Sequence, residues 1–221
     1  MNASILNIPH HKQTSTKLLD SKLKEYSKSR YFQKRVIDYL LSTLLILASM
    51  PIVAVTIFRI KKESPGPIFF KQTRIGLNGK PFTCYKFRSM HIHDVTAQGV
   101  YTQDQDLRIF PFGQFMRKTR IDELPQIFNI IKGEMHLIGP RAEWDILSNQ
   151  YEEQIKNYKK RYLVRPGITG LAQVSYPYGR NIYDAEQKLN YDLEYIKNWS
   201  IISEIKVVLQ TVTVVLGKKG L

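Results

Sequence analysis

The sequence predicts an α+β fold that is mostly helical, in a monotopic membrane protein with an N-terminal re-entrant helix, a small β-hairpin and amphipathic interfacial helices. Three observations lead to this prediction. A stretch of twenty residues near the N-terminus carries no charge, two β-prone runs flank an Asn-Gly turn, and later segments repeat their apolar residues with the helical period. At 221 residues, of which 43% are hydrophobic, the chain has the size of one domain with a tail.

The charge balance is strongly basic, because 33 Lys and Arg residues outnumber 19 Asp and Glu residues and give a net charge of +14. This excess predicts an anionic partner, which is a nucleic acid, a phosphorylated small molecule or an anionic membrane surface. No nucleic-acid-binding motif accompanies the charge, so we expect no nucleic-acid partner. The single cysteine, Cys84, excludes an internal disulfide and a multi-thiolate metal site.

Residues 1–33 form a basic polar arm that is rich in Lys, Ser and Thr. Two interpretations are open for this arm. It is either a solvated, partly disordered segment or a basic collar that lies on anionic lipid headgroups. A secretory signal is not expected, because the apolar stretch starts late and no small-residue cleavage site follows it.

The apolar stretch at residues 39–58 would form a helix of about 30 Å, which is enough to cross a bilayer core. Pro51 lies inside it and removes a helical hydrogen bond. Both flanks are basic and therefore both prefer the cytoplasm, with Lys34 and Arg35 before the stretch and Arg59, Lys61 and Lys62 after it. A buried core helix is the alternative. The pattern predicts a re-entrant membrane helix at 34–62, broken at Pro51, and a cytoplasmic membrane-associated domain at 63–221.

This domain is predicted to begin with a hairpin. Ser-Pro-Gly-Pro at 64–67 indicates a turn, and strands are expected at 68–75 and 81–88 around the Asn-Gly turn. Lys86 and Arg88 share one face of the second strand. That face is either an edge protected by charge or a phosphate-binding surface.

Helical periodicity returns after a polar loop at 91–106, in which His91, His93 and Asp94 make only a weak metal-binding pattern. Gly133 is expected to cap the first of the later helices. A loop is expected at 165–170. The predicted helices cover residues 109–131, 142–163, 184–198 and 203–216.

Two adjacent acids, Asp122 and Glu123, stand in a short segment with three cations. Pro125 favours the first turn of a helix and so places the acids at a helix N-terminus, where the dipole favours anions. Simple N-capping by Asp122 is one interpretation. The other is a phosphoryl-transfer site, in which one carboxylate binds Mg²⁺, the other attacks phosphorus, and Arg141 contacts phosphate from a tight turn. No Walker loop or G-x-G-x-x-G motif is present.

Several longer motifs occur in a fixed order from Lys34 to Gly220. They are GPIFFKQ at 66–72, RIG at 74–76, YKFRSM at 85–90, Arg117 with DELPQ at 122–126, KGEM at 132–135, GPR at 139–141, RPGITG at 165–170 and YDL at 191–193. With the basic flank, Asp38 and the helix containing Pro51, these motifs make the chain resemble the bacterial sugar transferase family, the monotopic polyprenyl-phosphate sugar-1-phosphate transferases.

The resemblance implies that residues 63–221 are a catalytic domain on the cytoplasmic face of the bacterial inner membrane. It implies transfer of a sugar-1-phosphate from a UDP-sugar to undecaprenyl phosphate, with release of UMP, as the first membrane step of exopolysaccharide or glycoconjugate synthesis. In such enzymes the Asp of the Asp-Glu pair forms a covalent phosphosugar intermediate and the Glu helps to bind Mg²⁺, which here are Asp122 and Glu123. We expect Asp122 to be ionised at neutral pH. The phosphate-binding basic residues of the family match Lys86, Arg117 and Arg141.

Two positions depart from the family pattern. Met50 precedes Pro51 where the family often has Ser, which leaves Ser49 one residue too early. Ala142 follows Arg141 where the family has a second Pro, so the arginine loses a rigid neighbour. The alternative function is a non-catalytic basic membrane anchor that recruits glycan-assembly partners, which the intact acidic pair disfavours. The identity of the sugar stays open, and residues 174–181 are expected to help select it. The oligomeric state also stays open, and a homo-oligomer is possible.

Overall fold

The computed structural model describes residues 29–92, 106–177, 179 and 181–217. The basic arm up to residue 28 and the pattern at His93 and Asp94 lie outside the described residues. The helices are α1 Ser29–Glu63, α2 Pro111–Thr119, α3 Ile127–Ile131, α4 Asp145–Gln154, α5 Leu171–Ser175, α6 Ile182–Lys197 and α7 Ile201–Leu216. The strands are β1 Phe69–Ile75, β2 Pro81–Phe87, β3 His136–Ile138 and β4 Gly167–Thr169. Short 3₁₀ helices span Leu77–Gly79, Ile121–Gln126 and Tyr158–Leu163. The predicted mostly helical chain with a small hairpin is confirmed.

Within the described part of the chain, α1 is the one helix whose length and apolar composition would allow it to cross a membrane, and its most apolar 18-residue window has a mean hydropathy of 2.3. Its helical backbone runs through Pro51 without interruption. Proline cannot donate to the carbonyl four residues earlier, which is that of Leu47. Ser49 Oγ instead donates to Ile46 O at 3.1 Å, so its hydroxyl does not replace the missing bond. The re-entrant course of the chain stays a prediction.

One face of α1 carries polar side chains that are buried in the structure. They are Lys34, Asp38, Ser42, Ser49 and Thr56, and they lie four or seven residues apart, which places them on the same side of the helix. Most of the other side chains of the helix are apolar and exposed, among them Leu40, Leu44, Leu47, Val55 and Phe58. The helix therefore turns its polar stripe toward the rest of the chain and its apolar surface outward.

Two contacts of this polar stripe attach α1 to later elements. Asp38 pairs with His136 and accepts a hydrogen bond of 3.2 Å from the Leu137 backbone N–H, at β3. The neighbouring Arg35 donates to the Ile130 carbonyl at 3.0 Å. Lys34 forms a buried ion pair with Glu204 of α7. Glu204 also accepts hydrogen bonds of 2.7 Å from Tyr195 and from Trp199.

The hairpin has the predicted antiparallel form, with Lys71 opposite Tyr85 and Phe70 opposite Lys86. The turn between its strands uses Asn78 with φ of 56°, which an Asn tolerates. The side-chain amide of the buried Asn129, in α3, forms hydrogen bonds with backbone groups of β2. Its amide accepts from Tyr85 N at 3.2 Å and donates to Thr83 O at 2.7 Å. These two bonds fix the helix that follows the acidic pair against the hairpin.

The predicted loop at 165–170 is wrong, because Gly167–Thr169 forms β4 and pairs in parallel with β3. The backbones lie so close that a Cβ on Gly167 would come within 2.1 Å of the Gly139 nitrogen. Gly139 N donates to Thr169 O, and Gly167 N donates to Pro140 O, each at 2.9 Å. Because these glycines have no side chain, the backbone of β4 can approach the turn that carries Arg141 closely enough for these two hydrogen bonds to hold the turn in place.

Two long predicted helices are interrupted. Arg120, with φ of 60°, separates α2 from the 3₁₀ helix that contains the acidic pair, and Asn157, with φ of 66°, separates α4 from the 3₁₀ helix Tyr158–Leu163. A left-handed residue ends a right-handed helix. Gly133 has a positive φ of 81°, as predicted for a helix cap. The last two helices start two residues earlier than predicted, behind the side-chain caps Asn181 and Ser200.

Most of the buried apolar residues of the described chain form three clusters. One of them joins α1 to the domain and contains Ile60, Phe87, Phe110 and Met116. A second lies between α6, α7 and β3, and a third packs α4 and the following 3₁₀ helix on α6. Helix α7 leaves one apolar face exposed, formed by Ile201, Ile202, Ile205, Leu209 and Val212. This face fits the predicted interfacial helix, whose contact with a membrane stays a prediction.

Candidate active site

The acidic pair lies in the 3₁₀ helix Ile121–Gln126. This helix begins after Arg120, and no side chain caps its first turn. N-capping by Asp122, one of the two interpretations of the sequence, is therefore not its role in this structure. Both acids are almost fully buried, with Asp122 7% and Glu123 5% exposed. Buried carboxylates need positive charge or hydrogen-bond donors around them, and the two acids differ sharply in what they receive.

Glu123 is surrounded by cations. Its Oε1 accepts hydrogen bonds from Lys86 Nζ at 2.8 Å and from an Arg141 Nη at 3.0 Å, and an Arg120 Nη lies 3.8 Å away. Burial alone would raise the pKa of the Glu123 carboxyl, but the charges of Lys86, Arg141 and Arg120 together outweigh burial and hold that pKa well below its usual value. Glu123 is therefore ionised and links two of the predicted phosphate-binding residues.

Asp122 has the opposite environment. Its Oδ1 is buried and has no hydrogen-bond partner among the described residues. Burial raises the pKa of Asp122, the Glu123 charge adds to this, and Lys86 and Arg117 offset it only in part. The expectation that Asp122 is ionised at neutral pH rested on its neighbouring cations, did not include this effect of burial and stays a prediction. The neighbouring cations were visible in the sequence, whereas the depth of burial was not.

The cations predicted to bind phosphate lie around this pair. Lys86 and Arg141 contact Glu123, and Arg117, in the last turn of α2, lies near enough to lower the pKa of Asp122. Burial, reinforced by Arg141 and Arg74, lowers the pKa of Lys86 although Glu123 raises it. The structure thus brings all five predicted residues into one cluster. Their catalytic and phosphate-binding roles stay predictions at this point.

Arg88 does not belong to this cluster, although the sequence placed it on the same strand face as Lys86. Its guanidinium is buried and donates to Ser64 Oγ at 2.7 Å and to the Pro67 carbonyl at 2.6 Å. Strand β2 ends at Phe87, so the alternation of the strand no longer applies to the next residue. Arg88 fixes the Ser-Pro-Gly-Pro turn and is not part of a phosphate-binding surface.

Two arginines that the sequence reasoning missed hold the backbone of the Arg141 turn. Arg161 donates to the Arg141 carbonyl at 2.8 Å, and Arg74 donates to the Ala142 carbonyl. These bonds fix the turn at the position where Ala142 replaces a second proline. Arg161 is itself buried, with a 2.8 Å ion pair to Asp192. Burial raises the pKa of Asp192 to about 6, although the Arg161 charge lowers it.

Glu143 is a further acid beside this turn. Burial by itself raises the pKa of the Glu143 carboxyl, but Arg161, Arg141, Arg74 and Lys188 reverse the effect, so the net shift is downward. Its only signal in the sequence was its position two residues after Arg141 of the GPR motif. A charged residue in an amphipathic segment looks solvated until tertiary contacts are known.

The residues of the acidic pair suit a divalent cation in one respect. The buried Oδ1 of Asp122 lacks a partner, and the ionised Glu123 is adjacent in sequence, so two carboxylates are available to a hard cation that prefers oxygen ligands. Among the described residues, no three His, Cys, Asp or Glu side chains are grouped as metal ligands. A Mg²⁺ ion held here would therefore complete its shell with water and substrate phosphate, as Mg²⁺ commonly does.

Comparison with known proteins decides the family. The model of the family described as bacterial sugar transferase matches residues 29–218, which include the membrane-length helix, the hairpin and the acidic site. The chain belongs to the bacterial sugar transferase family. This membership agrees with the resemblance carried by the sequence motifs and with the cluster that those motifs form in the structure.

Relatives in this family act on several sugars, as their names state. A UDP-N-acetylgalactosamine-undecaprenyl-phosphate N-acetylgalactosaminephosphotransferase of Aeromonas hydrophila is 41% identical over 189 residues, covering 86% of this chain and 45% of that protein. A UDP-glucose:undecaprenyl-phosphate glucose-1-phosphate transferase of Caulobacter vibrioides is 39% identical, covering 81% of this chain and 68% of that protein. An undecaprenyl-phosphate galactose phosphotransferase of Salmonella typhimurium is 35% identical, covering 87% of this chain and 42% of that protein. The chain thus spans less than half the length of two of these relatives.

Proposed function

We propose that this chain transfers a sugar-1-phosphate from a UDP-sugar to undecaprenyl phosphate and releases UMP, through a covalent phosphosugar intermediate on Asp122. The observation that carries the proposal is the contrast within the acidic pair. Glu123 is ionised and bound by cations, whereas the neighbouring Asp122 oxygen is buried without a partner among the described residues. Two adjacent acids in opposite environments are typical of divided catalytic roles.

The first displacement would begin with attack of an Asp122 carboxylate oxygen on the phosphorus that bears the sugar. A bond forms between this oxygen and phosphorus, the bond from the same phosphorus to the bridging oxygen of the diphosphate breaks, and the bridging oxygen leaves with UMP. The product on the protein is an acyl phosphate that carries the sugar. Lys86, Arg117 and Arg141 would stabilise the negative charge that develops on the phosphate oxygens.

The second displacement returns the protein to its starting state. A phosphate oxygen of undecaprenyl phosphate attacks the same phosphorus, the bond to the Asp122 oxygen breaks, and the lipid diphosphate sugar leaves. Glu123 would keep Lys86 and Arg141 in position during both steps, because its Oε1 contacts both groups. Mg²⁺ held by the acidic pair would supply positive charge that lets an anionic carboxylate approach an anionic diphosphate.

The membrane placement is part of the proposal. Helix α1, which is apolar and exposed over much of its length, would enter the cytoplasmic leaflet of the inner membrane, with its basic flanks on the cytoplasmic side. The alternative, a non-catalytic anchor, would not need a buried acidic pair. Burying two adjacent carboxylates costs free energy that their ion pairs offset only in part, and an anchor would gain nothing from such a pair.

The test uses a UDP-sugar labelled in the β-phosphate, offered to the full chain with Mg²⁺ and without lipid acceptor. We expect label bound covalently to Asp122, lost in Asp122→Asn and retained in the matched control Asp145→Asn. UDP-glucose, UDP-galactose and UDP-N-acetylgalactosamine form the panel, because relatives are named for these sugars. Turnover with lipid but no adduct, together with sequential kinetics, would refute the covalent step.

A further inference from the structure

A second binding surface lies on the side of the hairpin that faces away from Glu123. It is a groove of about 310 Å³, lined by Phe69, Lys71, Tyr85, Phe128 and Lys132. Lys71 stands opposite Tyr85 across the hairpin, whereas Lys86 stands opposite Phe70. Because successive side chains of a strand point to opposite faces, the groove and Lys86 lie on different sides of the hairpin. The groove is therefore separate from the acidic site.

The groove carries an excess of positive charge. Lys132 Nζ donates to the Tyr85 hydroxyl at 2.9 Å and lies 4.6 Å from the centre of the Tyr85 ring. Lys71 supplies a second, exposed ammonium group. None of the five lining residues is acidic. Glu134, whose charge acts on Lys132, is engaged by the Asn129 amide at 2.6 Å.

Helix α3 adds exposed apolar surface to the groove. Phe128, which lines the groove, is 54% exposed, and Ile131, three residues later on the same helix, is 46% exposed. The end of α3 also contacts the start of the apolar stretch of α1, where Arg35 donates to Ile130 O at 3.0 Å and Tyr39 donates to Ile131 O at 3.3 Å. An Arg followed by a Tyr at the end of an apolar helix marks the level of lipid headgroups. The groove therefore lies at that level when α1 is in the membrane.

We propose that this groove binds an anionic phospholipid of the phosphatidylglycerol type, which is not a substrate of the reaction. Its phosphate would lie between Lys71 and Lys132, and its acyl chains would cover Phe128 and Ile131. A soluble nucleotide would leave the apolar wall uncovered, and a zwitterionic lipid would not match the net positive charge. The proposal uses the membrane placement of α1 from the proposed function and is independent of the chemistry at Asp122.

The experiment titrates the full chain, in a nonionic detergent, with fluorescent phosphatidylglycerol and with phosphatidylcholine. The test variant is Lys71→Gln with Lys132→Gln, and the matched control is Lys80→Gln with Lys156→Gln, which removes two exposed lysines elsewhere. Since each lysine near a headgroup contributes about 1 kcal/mol, the test variant should bind phosphatidylglycerol about thirtyfold more weakly. The control should keep the wild-type affinity. Phe128→Ala should weaken lipid binding without any change of charge.

Each result supports or overturns the proposal. If the control variant lost as much affinity for phosphatidylglycerol as the test variant, or if phosphatidylcholine bound equally well, lipid binding would come from the overall surface charge or be unspecific, and the groove would not be a lipid site. If the two lysines affected the binding of undecaprenyl phosphate but not that of phosphatidylglycerol, the groove would be a site for the lipid acceptor instead. Thermal unfolding without lipid checks that the variants fold. Formation of the Asp122 adduct, measured on the same proteins, needs no lipid, so its failure in the wild type refutes the catalytic proposal and leaves the lipid titration valid.

Discussion

Arg161 donates a hydrogen bond of 2.8 Å to the backbone carbonyl of Arg141. The same guanidinium pairs with Asp192 at 2.8 Å and contacts the hydroxyl of Tyr158. Arg141 in turn contacts Glu123 at 3.0 Å. A buried charge network behind the site is thus connected to the acidic pair through the backbone of one turn, and we expect Arg161 to act as a positioning residue for the proposed reaction.

Arg161→Lys should reduce kcat/KM by about tenfold or more, because hydrogen bonds to charged groups contribute about 1.5–3 kcal/mol and an ammonium cannot make the same set of contacts. The informative measurement is a double-mutant cycle with Arg141→Ala, using folded protein only. If Arg161 acts through Arg141, its substitution should have little further effect in the Arg141→Ala background. An unchanged effect in that background would assign Arg161 to general stability.

Arg141→Lys should be harmful although it keeps the charge. A point charge on a flexible stem cannot reproduce the planar fork that contacts a carboxylate and a phosphate together. By analogy with removal of one oxyanion donor, kcat should fall by about a hundredfold to a thousandfold. Steady-state kinetics measure this loss, and Arg59→Lys, in an exposed pair with Glu63, serves as the control. A wild-type kcat in Arg141→Lys would show that the Arg141 guanidinium does not stabilise the transition state.

Adduct formation should depend on pH through Asp122. This carboxyl must lose its proton before it attacks, and burial raises its pKa. As the pH falls, the rate should therefore decrease at a higher pH than the ordinary aspartate value of about 3.9 would give. More Mg²⁺ should move this decrease to lower pH, because a cation favours the carboxylate. Single-turnover labelling at a series of pH values measures both effects. A pH profile that does not change with the Mg²⁺ concentration would argue against a metal ion beside Asp122.

Both ends of α1 should be accessible from the cytoplasm only. Phe32→Cys and Lys62→Cys are suitable labelling sites because both positions are exposed, and Cys84 is 1% exposed and gives little background. Glu63 is a poor choice, since its carboxylate accepts from the Phe112 backbone N–H at 2.8 Å. Pro51→Ala should favour a straight span and move one label to the other side. Periplasmic labelling of either site in the wild-type helix would contradict the re-entrant course.

Local signals allowed much of the site to be predicted from the sequence. The Asn-Gly turn and the β-prone runs gave the hairpin that carries Lys86, and adjacent charges around Pro125 gave the acidic pair. Arg161 was missed because it lies in a charged segment, a pattern that is typical of the solvent-exposed face of a helix. Its partner Arg141 is twenty residues away along the chain, and the left-handed Asn157 interrupts the helical segment between the two.

Burial and the short length of the strands explain the remaining differences. The shift in the pKa of Asp122 follows from its depth in the fold, and no pattern of neighbouring residues encodes that depth. Arg88 shares strand parity with Lys86, but the strand ends one residue too early for this parity to hold. The parallel pair of β3 and β4 escaped prediction because each strand has three residues, which is too short for a periodic signal.

The position of Ile60 has a consequence for any shortened form of this protein. Ile60 belongs to α1 by sequence, yet it is fully buried with Phe87, Phe110 and Met116. A cut that removes the apolar helix to obtain a water-soluble enzyme would leave a hole beneath the hairpin and would also take Asp38 away from His136. Loss of a buried isoleucine alone costs about 2–5 kcal/mol, a large part of the stability of a typical domain. Helix α1 and the part of the chain that carries the acidic site therefore share one buried core, and we expect solubility to be gained more safely by changing the outward-facing side chains of the helix.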